Sequence, residues 1–297
     1  MVPNTINMST LKICLTHDVD RTRKTYQYFT HDIRKLKLGK LRTLLNGVRP
    51  YWQFEQLMAL EESYGVRSTF FFLHETIPFE PFNLSNWRLS VGRYSLYDSE
   101  VQRIIRELDT GGWEVGLHGS YNSYRSLDLL QREKSVLEEV LGKQVTGIRQ
   151  HFLNLDVPGT WKLQREAGFV YDASFGKRWD IGYREERYYP FTDDESGMFV
   201  IPLALMEHYL FPMAGNDPKV AWQLTKQLMD EAEENDAVFT VLWHQRMFNE
   251  TEFPGFAEVY RKIIEEGKER NARFVTCGEV YAMKDYKPEP AGIDNSW

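Results

Sequence analysis

Residues 12–21 read KICLTHDVDR, an apolar run that ends in two carboxylates. Ile13, Cys14 and Leu15 show no polar alternation, as a parallel strand buried on both faces requires. Asp18 and Asp20 are two residues apart, so on a strand their side chains share a face with Thr16. Two such carboxylates stay ionised together only if a cation sits between or beside them. This stretch therefore predicts a strand that delivers acids to its C-terminal end, and a positive charge waiting there. His17 and Val19 alternate toward the opposite side, where a helical layer would lie, which makes His17 a structural residue.

Outward from this strand, short apolar runs alternate with amphipathic helical segments. The strand candidates are LKICLTH (11–17), RSTFFFL (67–73), EVGLHG (114–119), VTGIRQHF (145–152), YDASFG (171–176), FVIPLAL (199–205), AVFTVLWH (237–244) and RFVTCG (273–278). Helical patterns fill 51–65, 98–112, 127–143, 159–169, 221–236 and 255–272, several of them ending in Gly. Strand-then-helix repeated this often indicates a parallel α/β sheet, and the number of units suits a closed barrel. The chain reads as one domain over 1–297, with a core from about 11 to 285. An extended tail runs from Lys287. Residues 21–50, rich in Lys and Arg, and residues 76–98 interrupt the rhythm after the first two strands, the side on which barrels build their sites.

The composition narrows the function classes. With 42% hydrophobic and 27% charged residues, the chain can bury a full core. A net charge of −7 gives no basis for nucleic-acid binding. Cys14 and Cys277 are the two cysteines, both in strand-like runs, and read as buried thiols rather than a disulfide framework. No secretory leader or run of about 18 apolar residues is visible, so the expectation is a cytoplasmic protein without stable membrane insertion. Aromatic content of 14% supplies core and could also line a groove for sugar rings.

Polar residues gather at the strand ends. Asp18 and Asp20 end the first strand and His118 ends EVGLHG. Arg149 and His151 end GIRQHF, Asp172 opens YDASFG and His244 ends VFTVLWH. In a parallel barrel these positions converge on one rim. A divalent metal beside one aspartate and Arg149 beside the other would resolve the charge problem of KICLTHDVDR.

With these residues in place, the sequence resembles the polysaccharide deacetylases, carbohydrate esterase family four, in order along residues 11–280. The resemblance implies a distorted (β/α)7 barrel with parallel strands. HDVD matches an Asp-x-Asp form of the family's first motif, which implies Asp18 as catalytic base and Asp20 as metal ligand. HGSYN matches the second motif at His118, a ligand, but places Asn122 where a second ligand His is usual. RQHF matches the third at Arg149 and Phe152, with His151 where Pro is usual. The third ligand is then His151, Asn122 or no protein side chain. Asp172 corresponds to the fourth motif, and Leu242 and His244 in LWH to the fifth, which implies His244 as catalytic acid with Asp172 orienting it.

The expected activity is metal-dependent hydrolysis, with zinc the expected ion, that removes an N-acetyl group from a sugar or a sugar-containing intermediate of polysaccharide metabolism. FVIPLALMEHYLF would serve mainly as core, with Glu207 or His208 as candidate pocket residues. Two other readings stay open at this point. One is another C–N hydrolysis on the same fold, such as deformylation. The other is a carbohydrate-binding relative without turnover, motivated by Asn122. Oligomeric state is not written in the sequence.

Overall fold

A computed structural model describes residues 11–25, 27 and 49–284. Strand β1 (Lys12–Val19) lies in the middle of a parallel sheet. On one side it pairs with β2 (Thr69–Leu73), then β3 (Glu114–Gly119), β4 (Gly147–Gln150) and β5 (Tyr171–Asp172). On the other side it pairs with β9 (Val238–Leu242), which pairs in turn with β8 (Leu205–Met206). Short β6 (Phe191–Thr192) is antiparallel to β7 (Phe199–Val200), the one antiparallel pair among the described strands.

The run predicted as FVIPLAL closes the circuit. Its first part, β7, pairs with β5, and its last part, β8, pairs with β9. Between them Leu203 bridges Gly176. Pro202 explains why one predicted strand appears as two, since it has no N–H for a ladder. Counted round, β1, β2, β3, β4, β5, the 199–206 segment and β9 make the seven staves of a distorted (β/α)7 barrel. Strand β10 (Arg273–Val275) pairs with the first three residues of β1, which β2 does not reach.

Alternation sorts the side chains into two cores. Ile13, Leu15, Val19, Phe70 and Phe72 join the layer packed under the helices, whereas Cys14, Phe71, Tyr171, Phe199 and Val238 fill the barrel. Helix α1 (Phe54–Ser63) follows β1, α2 (Leu84–Ser90) and α3 (Ser99–Thr110) both follow β2, α4 (Leu127–Leu141) follows β3 and α5 (Gly159–Glu166) follows β4. Helix α3 is typical: Asp98 caps it by accepting from Glu100 N at 3.0 Å, and Val101, Ile104, Ile105 and Leu108 form its buried stripe. Helix α4 ends on Gly142 in the left-handed region, at φ 69°.

Helices α6 (Glu207–Met213), α7 (Pro218–Glu234), α8 (Phe256–Glu269) and α9 (Cys277–Ala282) complete the shell. Helices α2 and α6 fall in stretches where no helix is predicted. No helix among the described residues is long and apolar enough to cross a membrane. Most of the predicted 21–50 interruption and the tail from Lys287 lie outside the described residues.

Gly147 is required inside the barrel by close approach. A Cβ there would sit 2.0 Å from Tyr171 Cζ, and the Tyr171 ring is fully buried. Gly147→Ala is therefore expected to cost about 1–3 kcal/mol, the range for overpacking a filled core. A lowered midpoint in guanidinium unfolding checks this; an unchanged midpoint would show that Tyr171 can move aside.

Candidate active site

At the C-terminal mouth of the barrel the predicted charge pairing is present. Asp18 Oδ1 accepts from Arg149 Nη1 at 3.1 Å, and both residues are buried. Arg149 also donates to Thr16 Oγ1 (2.7 Å) and to the Ala173 carbonyl (2.8 Å), and its guanidinium lies 4.6 Å above the Phe71 ring. These contacts hold it rigidly against Asp18. Loss of Arg149 would leave a buried charge unpaired, at about 3–5 kcal/mol.

Asp20 sits one step further out and meets a different set. Its Oδ2 accepts from Arg246 Nη1 at 2.9 Å and lies 3.3 Å from His244 Nε2. Its Oδ1 is buried without a hydrogen-bond donor, 3.3 Å from His118 Nε2 and 3.5 Å from His151 Nε2. Burial alone would raise the Asp20 carboxyl, but the charge on His244, contacts with His118 and His244, and Arg246 outweigh it. They hold the group well below the usual carboxylate range.

The histidines show which nitrogens face inward. His118 Nδ1 donates to the Arg149 carbonyl at 2.9 Å, which turns Nε2 toward Asp20. Burial, followed by the charge of Arg93, pushes His151 well below the ordinary imidazole range, which keeps it neutral. Ligand atoms of Asp20, His118 and His151 all lie within 4.8 Å of one another. Three electron-pair donors converging on one buried point, with Asp20 Oδ1 unsatisfied, are what a cation would satisfy. A carboxylate and two imidazoles are donors suited to zinc and neighbouring divalent ions.

His244 has a partner that sequence reasoning assigned elsewhere. Its Nδ1 is 2.5 Å from Oε1 of the fully buried Glu207, at the start of α6. Burial alone would lower the imidazole, but Glu207 and then Asp20 overcome it and raise it to about 9. Asp172, expected to orient His244, does not reach it. Tyr171 points into the barrel, so its neighbour Asp172 must point outward. There it accepts from Gln164 Nε2 of α5 at 2.9 Å and from Ser174 Oγ at 2.7 Å, and burial raises its carboxyl. Asn122 is exposed before a short turn and takes no place in the cluster.

Arg246 and Arg93 are further site residues absent from the sequence reading. Arg93 donates to the Asp20 carbonyl at 3.0 Å and stands 3.4 Å from His151 Nε2. His17 faces away from the mouth, with Nδ1 2.6 Å from the Trp243 carbonyl and Nε2 2.9 Å from the buried Glu61. Two features border the mouth. Leu153, Leu203, Met206 and Leu242 form a small apolar patch. Trp179, 75% exposed and held at φ 67°, lies against Tyr209, two residues beyond Glu207.

With fold and site in view, the chain can be compared with known proteins. A structure from Mycobacterium smegmatis, ascribed to a polysaccharide deacetylase, superposes with a TM-score of 0.60 at 17% identity over 96% of each chain. The fold is that of the polysaccharide deacetylases. Another structure so ascribed, from Pseudomonas aeruginosa PAO1, gives 0.60 at 14% identity, covering 95% of this chain and 93% of the other. The Puue allantoinase gives 0.62 at 13% identity, covering 95% and 94%. No protein-family model matches the sequence, and no curated protein does. At these identities the polysaccharide-deacetylase likeness is one of fold, and chemistry has to be argued from the site.

Glu207→Gln tests how His244 is held. Removing the carboxylate charge is expected to lower the His244 pKa from about 9. A histidine proton signal followed by NMR across pH should titrate earlier in the variant. Titration at the same pH in both proteins would show that Asp20 alone maintains the imidazolium.

Proposed function

We propose that this chain is a metal-dependent hydrolase that removes an N-acetyl group from a sugar or sugar-containing intermediate, a divergent relative of the carbohydrate esterase family four deacetylases. The observation that carries the reading is the convergence of Asp20 Oδ1, His118 Nε2 and His151 Nε2 beside a second carboxylate, Asp18, and a raised histidine, His244. A divalent ion, zinc by this donor set, would lower the pKa of a bound water and polarise the acyl oxygen.

The chain's own groups then divide the proton work. Asp18, oriented by Arg149, faces the same pocket, with Oδ2 3.7 Å from His118 Nε2, and takes a proton from the attacking water. His244, protonated at neutral pH, gives a proton to the departing amine, with Glu207 fixing its Nδ1. The Leu153–Leu242 patch offers a methyl group an apolar seat. Trp179 and Tyr209 supply aromatic faces on which a sugar ring can stack.

Elemental mass spectrometry tests the proposal. One divalent ion per chain is expected in the wild type and in Asn122→Ala, and loss of it in His118→Ala and His151→Ala. Asp18→Asn should keep the ion and lose acetate release by about 10²–10⁴-fold, the usual worth of a general base. No metal in the wild type, or loss of metal in Asp18→Asn, would overturn the assignment. Release of formate instead of acetate would move the reading to deformylation. His244 predicts the pH limb: kcat should fall as pH rises through about 9, where the imidazolium loses its proton. Trp179→Ala should raise KM with kcat nearly unchanged; an unchanged KM would remove Trp179 from the sugar site.

A further inference from the structure

The proposed chemistry leaves unused a cluster of arginines on the His151 side of the mouth. Arg88 lies over the Phe152 ring, 4.4 Å from its centroid. Arg178 donates to the Phe152 carbonyl at 3.1 Å and to Asn154 Oδ1 at 2.9 Å. Two exposed guanidiniums thus hold one residue from its ring and from its backbone. Neither has a carboxylate within ion-pair distance among the described residues. Phe152 is also next to His151, with ring centroids 4.3 Å apart.

The backbone between them is held in an unusual shape. Phe152 and Leu153 both have positive φ, 59° and 51°, a region that residues with side chains seldom occupy. Arg93 reaches the same place from behind, beside His151 Nε2. The chain is acidic as a whole, at −7, so a group of three guanidiniums beside the mouth is not a reflection of composition.

We infer that Arg88 and Arg178, backed by Arg93, bind a phosphate-class anion of the substrate, a phosphate ester or pyrophosphate adjoining the acylated sugar. Guanidinium forks match phosphoryl oxygens in geometry, and several cations favour a multiply charged oxyanion over a single carboxylate. That the anion belongs to a substrate rests on the hydrolase reading, but the anion site itself does not. The same phosphoryl chemistry occurs in nucleotide-linked and lipid-linked sugars. The exposed Phe79 and Phe82 stand on the segment leading to Arg88, where a lipid carrier would find an apolar neighbour.

Isothermal titration of the full chain with inorganic pyrophosphate tests the site, comparing wild type with Arg88→Ala/Arg178→Ala. Both residues are surface groups, and a thermal melt verifies that the variant is folded. The expected result is binding that weakens with salt and falls at least tenfold in the variant. Equal binding by both proteins, or none by the wild type at millimolar concentration, overturns the inference. Further arms use a nucleoside-diphosphate N-acetylhexosamine and dodecyl phosphate micelles; variant-sensitive binding of one or the other names the source of the phosphate. Arginine-dependent pyrophosphate binding without acetate release would defeat the hydrolase reading and leave this site standing. Acetate release without such binding would defeat this site alone.

Discussion

Two carboxylates on one face at the end of a buried strand are the constraint from which the mouth of this barrel is built. Asp18 and Asp20 cannot both be ionised there without positive charge, and water is largely excluded. The chain neutralises them separately. Asp18 takes the fully buried Arg149 from β4, three staves away. Asp20 takes Arg246 and the raised His244 on one oxygen and leaves the other facing two imidazole nitrogens. The two acids are therefore held differently: Arg149 pins Asp18, whereas Asp20, paired with Arg246 and His244 through Oδ2, keeps Oδ1 without a donor.

The strand that delivers these acids is braced from outside the barrel. Behind Asp18, His17 connects to Glu61 of α1, which also accepts from Ser68 Oγ (2.8 Å), Trp113 Nε1 (2.6 Å) and Tyr260 OH (2.6 Å). One buried carboxylate therefore ties α1, β1, the approaches to β2 and β3, and α8 together. A half-satisfied network here would cost stability, whereas a fully donated one fixes the register of β1 and hence the placement of Asp18 and Asp20. Closure by the 199–206 segment fixes the other side, because the chain that leaves β8 begins α6 with Glu207 and so sets His244.

Much of this arrangement is legible in the sequence because it follows from two periodicities. Apolar runs and helical stripes locate the strands and helices, and the i, i+2 rule puts Asp18, Arg149 and His244 on the inner face. The same rule, applied to Tyr171, turns Asp172 outward, against the role that the motif resemblance implies for it. Glu207 is harder to read, since it follows an apolar run broken by Pro202 and reaches His244 only because that run changes partners midway. Arg246 sits in a turn after β9, where strand alternation no longer governs direction. Arg88 lies in the short helix α2, in a stretch where no helix is predicted, and Arg178 comes from a loop, which carries no periodic signal.

The surroundings of His118 depart from the pattern this sequence resembles without a change of fold. In the pattern this sequence resembles, a histidine four residues beyond His118 would complete the set, and here that position is an exposed Asn122. Strands β3 and β4 are neighbours in register, with His118 opposite Arg149. Two residues beyond Arg149, on the same inner face, His151 stands about one pleat above His118. From there its Nε2 reaches Asp20 Oδ1 at 3.5 Å, close to the 3.3 Å of His118. The imidazole that faces Asp20 Oδ1 beside His118 thus comes from the residue just after β4 and not from the turn that holds Asn122. Burial, and after it the charge of Arg93, opposes protonation of His151 and so preserves its lone pair.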